Sequence, residues 1–403
     1  MYGALEGIRV TDLGHVLAAP TCTMILADLG AEVIKVEPPK GDDSRFFGPF
    51  IKEKEGQGEQ SGYYISINRN KKSICVDLKE PEGKEILRKL IRVSDVLVEN
   101  YRPGTLKKLG FPYEEIRKIN PGIIYCSISG FGHNTLPEFA RKPAYDMVAQ
   151  AYSGLMSITG PEGGDPVRVG TSVGDLVAGH QAAIGILSAL WHRQKTGVGQ
   201  HVDISMVDGL IYMLENAIVR YTTTGEIPTP LGTAHPTITP FQSFKTKDHW
   251  IITPIGNDKL WHSYCEAIGR TDLINHPKFK TNHLRTVNRA ELITILQEVM
   301  KTKSTKEWIE IFEKNHLPYS PLNTVDKVIN DPNTKYRKMV TEIEQPNIGK
   351  VKIIGTPFKL SETPGTVSGH APLLGENTNE VLNTLLNYSQ EQITNLKKKN
   401  IIK

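Results

Sequence analysis

Along roughly the first 200 residues, short apolar runs alternate with stretches whose apolar side chains return at helical spacing. Residues 8–12 read as a buried strand, followed by a Gly-His-Val-Leu-Ala-Ala loop at 14–19. Pro20 suits the first turn of a helix and Gly30 its left-handed C-cap. Residues 32–37 are the next strand, and apolar runs at 74–78, 95–100, 123–128 and 200–204 repeat the pattern. Between them, 82–93 puts Ile86, Leu87, Leu90 and Ile91 on one helical face, 106–109 and 113–119 are short helical pieces, and a small-residue helix runs from 176 to 193. Strand and helix in alternation predict an α/β fold whose large domain is a Rossmann-like, doubly wound parallel sheet. Such sheets take ligands beyond the carboxyl ends of their strands.

The pattern changes after a helix expected at 205–221. Residues 225–236 are rich in Pro and Gly, as a linker is. A hairpin at 241–253 and helices at 258–268 and 289–300 follow, then a helix to 314 opened by the capping box Ser304/Glu307. The expected organisation is a large domain over 1–224, a small α+β domain over 225–325, and a C-terminal segment, 326–403, with a hairpin at 341–354 and two terminal helices.

Composition narrows the possibilities. At 403 residues, with 39% hydrophobic and 23% charged side chains, the chain is of ordinary globular character. A net charge of +4, spread along the chain, does not point to nucleic acid. Cys22, Cys75, Cys126 and Cys265 stand far apart, which argues against a zinc site and a disulfide framework and for a reducing compartment. The first six residues have neither a basic nor an apolar leader segment, and no apolar run approaches the ~20 residues that span a bilayer. The expectation is a cytoplasmic protein with no membrane and no metal. Residues 38–62 read as a surface loop, and Arg69, Lys71 and Lys72 as a basic turn, solvated or phosphate-holding.

Glu37 closes the second strand where dinucleotide enzymes carry an acid, but Gly14 is followed by His15, Val16 and Leu17 instead of the G-x-G-x-x-G fingerprint. That speaks against a nicotinamide or flavin enzyme. The turn Tyr101-Arg-Pro-Gly104 and the exit Ser129-Gly-Phe-Gly132 both follow strands. One acidic side chain stands apart. In Val169-Gly-Thr-Ser-Val-Gly-Asp175 a carboxylate sits where a glycine-containing loop becomes a helix N-terminus. Spacing alone leaves two readings open, a helix cap and a nucleophile.

With these segments in order, the chain resembles the class III coenzyme A-transferase family, also called the formyl-CoA transferase/carnitine CoA-transferase family. The likeness is carried by residues 5–10 with 14–20, 29–37, 68–77, 95–104, 129–132, 145–154, Gly174-Asp175, 196–200 and 371–376. It implies that Asp175 is the nucleophile. It implies further that coenzyme A lies along His15, Val16 and Ala18, meets Val76 and Asn100, and finds Lys108 where family members carry an arginine. Tyr145 lies in the same implied site. Another arginine of the formyl-CoA enzymes falls on Pro38, leaving Arg45, Lys72 or Lys142 to supply that contact. The resemblance also implies an interlocked homodimer, with no tightly bound cofactor and a CoA thioester and a carboxylic acid as substrates.

The implied chemistry is sensible. A carboxylate nucleophile gives an anhydride that keeps the thioester's activation, and an aspartyl-CoA thioester follows. At a helix N-terminus Asp175 is expected to be held ionised, with backbone N–H groups at hand for the tetrahedral oxyanions. Gly232-Thr-Ala-His-Pro236 replaces the four-glycine loop of the formyl-CoA branch and looks more like the succinate–hydroxymethylglutarate CoA-transferase branch. A dicarboxylate donor such as succinyl-CoA, contacted by His235 and Arg168, is the preferred expectation. The alternative enzyme is an α-methylacyl-CoA racemase, which needs acid/base groups on both faces of its substrate. Racemases carry His where this chain has Tyr145. Outside the enzymes, the alternative is a CoA-binding module without catalysis.

Overall fold

A computed structural model describes residues 3–54, 56 and 58–403. Met1 and Tyr2 of the leader reading, and Glu55 and Gln57 of the 38–62 loop, lie outside the described residues. The chain forms two compact units, one of 1–155, 169–219 and 332–403, the other of 156–168 and 220–331. The division falls inside the helix Glu215–Thr224, and the Gly/Pro-rich stretch 156–168 goes with the second unit. Nothing in the composition of such a stretch assigns it to either body.

The first unit is built on six parallel strands: β1 (Arg9–Asp12), β2 (Glu32–Glu37), β3 (Lys71–Cys75), β4 (Val96–Glu99), β5 (Ile124–Ser129) and β6 (His201–Ser205). Their order is β3-β2-β1-β4-β5-β6, the doubly wound order. Alternate side chains serve two cores, as a sheet covered on both faces requires. Val10, Val33, Val96, Val98, Ile124 and Cys126 pack under α1 (Ala18–Asp28) and the 24-residue helix α4 (Val173–Thr196). Ile34, Val36, Ile74, Leu97, Ile123 and Tyr125 meet α2 (Pro81–Val93) and the terminal helix Gln390–Lys398. Gly179 lets α4 press against α1, since a Cβ there would lie 2.8 Å from the Ala18 carbonyl oxygen.

Several expectations need correction. The strand placed at 74–78 lies at Lys71–Cys75, paired with β2, so Lys71 and Lys72 of the supposed basic turn are part of the sheet, while Arg69 follows the helix Gly62–Asn68. Its cations are all paired with carboxylates, and only Lys72 is partly exposed. Arg69 holds Asp28 through two hydrogen bonds, 2.7 and 3.1 Å, and Lys72 bridges Glu32 and Glu380. Lys71 is fully buried on Asp12, Asn68 and the Pro20 carbonyl, and burial pushes its pKa down to about 8. The 38–62 loop carries a short hairpin, Phe50–Lys52 with Glu59–Ser61, and buries Asp42 and Ser44 completely. The 205–221 helix is two, Met206–Tyr212 and Glu215–Thr224. By length and composition α4 is sufficient to cross a membrane, contrary to the expectation that no segment is, although the core helix of a soluble protein has the same character. One side of α4 packs on α1, while Ile184 and Trp191 are exposed.

The second unit has a three-stranded antiparallel sheet, with β7 (Phe241–Lys245), β8 (Trp250–Pro254) and β9 (Ser320–Pro321) in the order β9-β8-β7. Its own core includes Trp261, Leu292, Trp308 and Phe312. Both bonds of the Ser304/Glu307 capping box are present.

Candidate active site

The order of the parallel sheet reverses between β1 and β4, so the loops leaving these neighbours diverge and open a crevice. Side chains hold the backbone of the first loop at Gly14, His15 and Val16. Gly14 donates to Asp12 at 2.8 Å, and its carbonyl accepts the Lys35 ammonium at 2.6 Å. The His15 N–H donates to Asn100 Oδ1 at 2.7 Å, and Asn100 Nδ2 returns a bond to the His15 carbonyl at 2.9 Å. The Val16 N–H donates to Asp42 at 3.2 Å. These bonds fix Val16 at φ 61°, a region that β-branched residues avoid. Lys35 and Asp42 form a fully buried pair at 2.8 Å. Burial works against both charges, but Asp42 holds the Lys35 pKa above its ordinary value and Lys35 holds Asp42 well below its own.

Beyond this loop lies a cavity of about 570 Å³. Its walls include His15, Val16, Ala18, Val76, Asn100, Lys142, Tyr145 and Asp175. Of the CoA-contact and nucleophile positions implied by the resemblance, all but Lys108 are therefore brought together. Lys108 is exposed on the short helix Thr105–Leu109, outside the lining. Lys142 lines the wall and lies 3.8 Å from the Phe139 ring centroid. Arg45 is committed to Glu37, and Lys72 borders a different hollow. Arg168 and His235 belong to the second unit, where His235 packs against Phe241 and its carbonyl accepts a bond from Arg289. Glu37 also reaches the cavity, but its oxygens already accept bonds from Arg45, Tyr64, Ser73 and the Asp42 N–H, so it is not free to hold a ribose.

Asp175 is the third residue of α4, and its carboxylate accepts no hydrogen bond from any described residue. The capping role falls instead to Asp146, whose Oδ1 accepts the Gly174 N–H at 2.8 Å. Burial, reinforced by the Asp146 charge, raises the Asp175 carboxyl to about 7. The expectation that the helix terminus holds it firmly ionised is thus reversed: the nearest helix N–H is already used, and the local field comes from another carboxylate. Tyr63 feels the same crowding, pushed up to about 12 by burial and by Asp175, Asp42 and Asp146.

Sequence reasoning passed over Lys79, Lys35 and Asp42, and it named the Tyr101–Gly104 turn without giving Arg102 a role. Exposed Lys79 and Arg102 line the cavity and make no ion pair with a described residue, whereas Lys40 on the same wall is paired with Asp43. Their position just after β3 and β4 was the available signal. Lys35 and Asp42 had none, since a buried ion pair looks like surface charge in a sequence. Among the described residues no group of three or more His, Cys, Asp or Glu is arranged to hold a metal ion.

Comparison with known proteins agrees with this geometry. The model for "CoA-transferase family III" matches residues 5–378. Human succinyl-CoA:glutarate CoA-transferase is 43% identical over 394 residues, covering 97% of this chain and 88% of that protein. Acetyl-CoA:oxalate CoA-transferase of Acetobacter aceti is 41% identical over 382 residues, covering 93% and 94%. The crystal structure of a CAIB/BAIF family protein from Brucella suis superposes with a TM-score of 0.83 at 35% identity, covering 94% of this chain and 99% of that one. The chain belongs to CoA-transferase family III, and it is an enzyme of that class.

Proposed function

We propose that this enzyme transfers coenzyme A between dicarboxylic acids, with succinyl-CoA as a donor and Asp175 as the nucleophile. The observation that carries the reading is an Asp175 carboxylate without hydrogen-bond donors, on the wall of a cavity at the switch point of the sheet. In the first step Asp175 attacks the thioester carbonyl and expels the CoA thiolate, leaving a mixed anhydride. The thiolate attacks the aspartyl carbonyl, which releases the donor acid and forms an aspartyl-CoA thioester. The acceptor carboxylate displaces the thiolate to give a second anhydride. The thiolate then attacks the acceptor's acyl carbon, freeing Asp175. No water enters, and the activation of the thioester is conserved.

A carboxylate with a pKa near 7 is a stronger nucleophile than an ordinary aspartate, though half of it is protonated at neutral pH. Oxyanion support comes from the start of α1 on the cavity wall, where the Ala18 and Ala19 N–H groups lack intrahelical acceptors. Lys79, Arg102 and Lys142 suit the CoA phosphates. The names of the human and A. aceti relatives, with their succinyl, glutarate and oxalate substrates, support dicarboxylates.

The working form is a homodimer, interlocked as the resemblance implies. Exposed Met147, Tyr152, Ile184, Trp191, Tyr212 and Met213, all in the first unit, support it, since a monomer rarely leaves so much large apolar surface in water. A cytoplasmic location fits four buried, unpaired thiols. The deciding experiment incubates the protein with succinyl-CoA and no acceptor, traps with hydroxylamine, and maps the modified peptide by mass spectrometry. A mark on Asp175 is expected. Exchange of an α-proton with deuterated solvent, without any adduct, would instead identify a racemase.

A further inference from the structure

The helix α3 (Asp146–Tyr152) holds both ends of the segment that delivers Asp175. Gln150 is fully buried, and both ends of its amide are used. Its Oε1 accepts the Val169 N–H at 2.9 Å, and its Nε2 donates to Asp146 Oδ2 at 2.7 Å. The other oxygen of Asp146 accepts the Gly174 N–H at 2.8 Å. One residue of α3 thus receives residue 169, another receives residue 174, and the two are bonded to each other. Positions four apart on a helix lie ~6 Å apart along its axis, whereas residues 169–174 could reach ~16 Å if extended. The segment is therefore drawn in so that both its ends meet one helical turn. Gly174 permits the close approach, since a Cβ there would stand 3.1 Å from Asp146 Oδ1.

We infer that Gln150 is a positioning residue for the transfer reaction: through Asp146 and the Val169 N–H it closes a clamp that sets where the Asp175 carboxylate stands. The inference rests on Asp175 being the nucleophile. Gln150, Asp146 and Val169 do not line the cavity, so the clamp acts on the chemical step and leaves thioester binding alone. Loss of Gln150 removes one donor from Asp146 and the α3 acceptor of the Val169 N–H, and misplacement of a reacting group by an ångström costs up to about a hundredfold in rate.

The test uses the full-length protein and two variants, Gln150→Met, equal in size but without the amide, and Gln150→Asn, one methylene too short. Labelling of Asp175 by succinyl-CoA and hydroxylamine is followed in single turnover, with circular dichroism checking the fold. The expected result is labelling slower by about tenfold or more, with the half-saturating succinyl-CoA concentration within about twofold of wild type. Labelling at the wild-type rate in either folded variant, or a loss confined to saturation, overturns the clamp. Failure of the wild-type protein to label Asp175 sinks the nucleophile assignment itself, which is a different outcome. Hydrogen exchange on the wild-type protein needs no variant: the clamp requires protected Val169 and Gly174 amides, and fast exchange at both overturns it.

Discussion

Asn100 and His15 grip each other through two hydrogen bonds, 2.7 Å from the His15 N–H to Asn100 Oδ1 and 2.9 Å from Asn100 Nδ2 to the His15 carbonyl. The turn after β4 thereby holds the loop after β1, and the crevice between them keeps its width. Asn100→Asp preserves the acceptor but sets a carboxylate against the His15 carbonyl. Its expected effect is a several-fold rise in KM for the CoA thioester, exceeding that of Asn100→Ala, with about 1–2 kcal/mol lost from stability in urea titrations. Equal KM values in wild type and both variants would refute this role.

The pH–rate profile should report Asp175. Its attacking form is the carboxylate, so activity falls as protons are added. With the group raised to about 7, kcat/KM is expected to be level above that pH and to drop about tenfold per unit below it. A profile flat down to pH 5 would mean the raised carboxyl does not attack.

Asp175 should also cost stability. A carboxyl raised by folding holds its proton more tightly in the native state than in the unfolded chain. Its contribution is fully present below the ordinary aspartate range and is lost as pH climbs through 7. Asp175→Asn removes the buried charge beside Asp146, so it should abolish transfer and raise Tm at pH 8, by roughly 1–3 kcal/mol of stability. At pH 5 the gain should largely vanish. Calorimetry at the two pH values provides the comparison.

Lys79 and Arg102 offer a direct test of how the CoA phosphates are held. Replacing both with Ala should raise KM for the thioester about tenfold and weaken its salt dependence, with KM for the acceptor acid unchanged. A parallel rise in both constants would place the cations elsewhere in the reaction.

Arg69 should behave differently. Its partner Asp28 is buried with it, so Arg69→Met is expected to cost about 3 kcal/mol of stability and leave KM untouched in whatever folded protein remains. A purely kinetic defect would restore the phosphate-holding reading.

The parallel sheet was legible because apolar runs alternate with helices, although the strand Lys71–Cys75, which opens on two lysines, was placed three residues too late. Asp175 was legible as a polar residue at a loop–helix junction, and only the family resemblance separated nucleophile from cap. The structure shows why the local signal was ambiguous: the cap exists, but Asp146 supplies it from 28 positions upstream. Distance in sequence also hid the Asn100–His15 grip, 85 positions apart, whereas Lys35 and Asp42 are near neighbours whose burial nothing in the local sequence marks. Charge patterning failed at Arg69, Lys71 and Lys72 because it assumes water as the partner, and here carboxylates and carbonyl groups take that place.

Val76 lines the cavity, yet its bridge partner is Ile402, and the Ile401 carbonyl accepts the Asp77 N–H. On the ribosome, β1–β6 and the Asp175 helix emerge long before those residues do. A nascent chain can therefore assemble its sheet and every cavity-lining residue early, while the Val76–Asp77 stretch still lacks its C-terminal partners. A truncating stop codon shortly before Ile401 would keep every lining residue and leave Val76 and Asp77 without the backbone partners that brace them from behind.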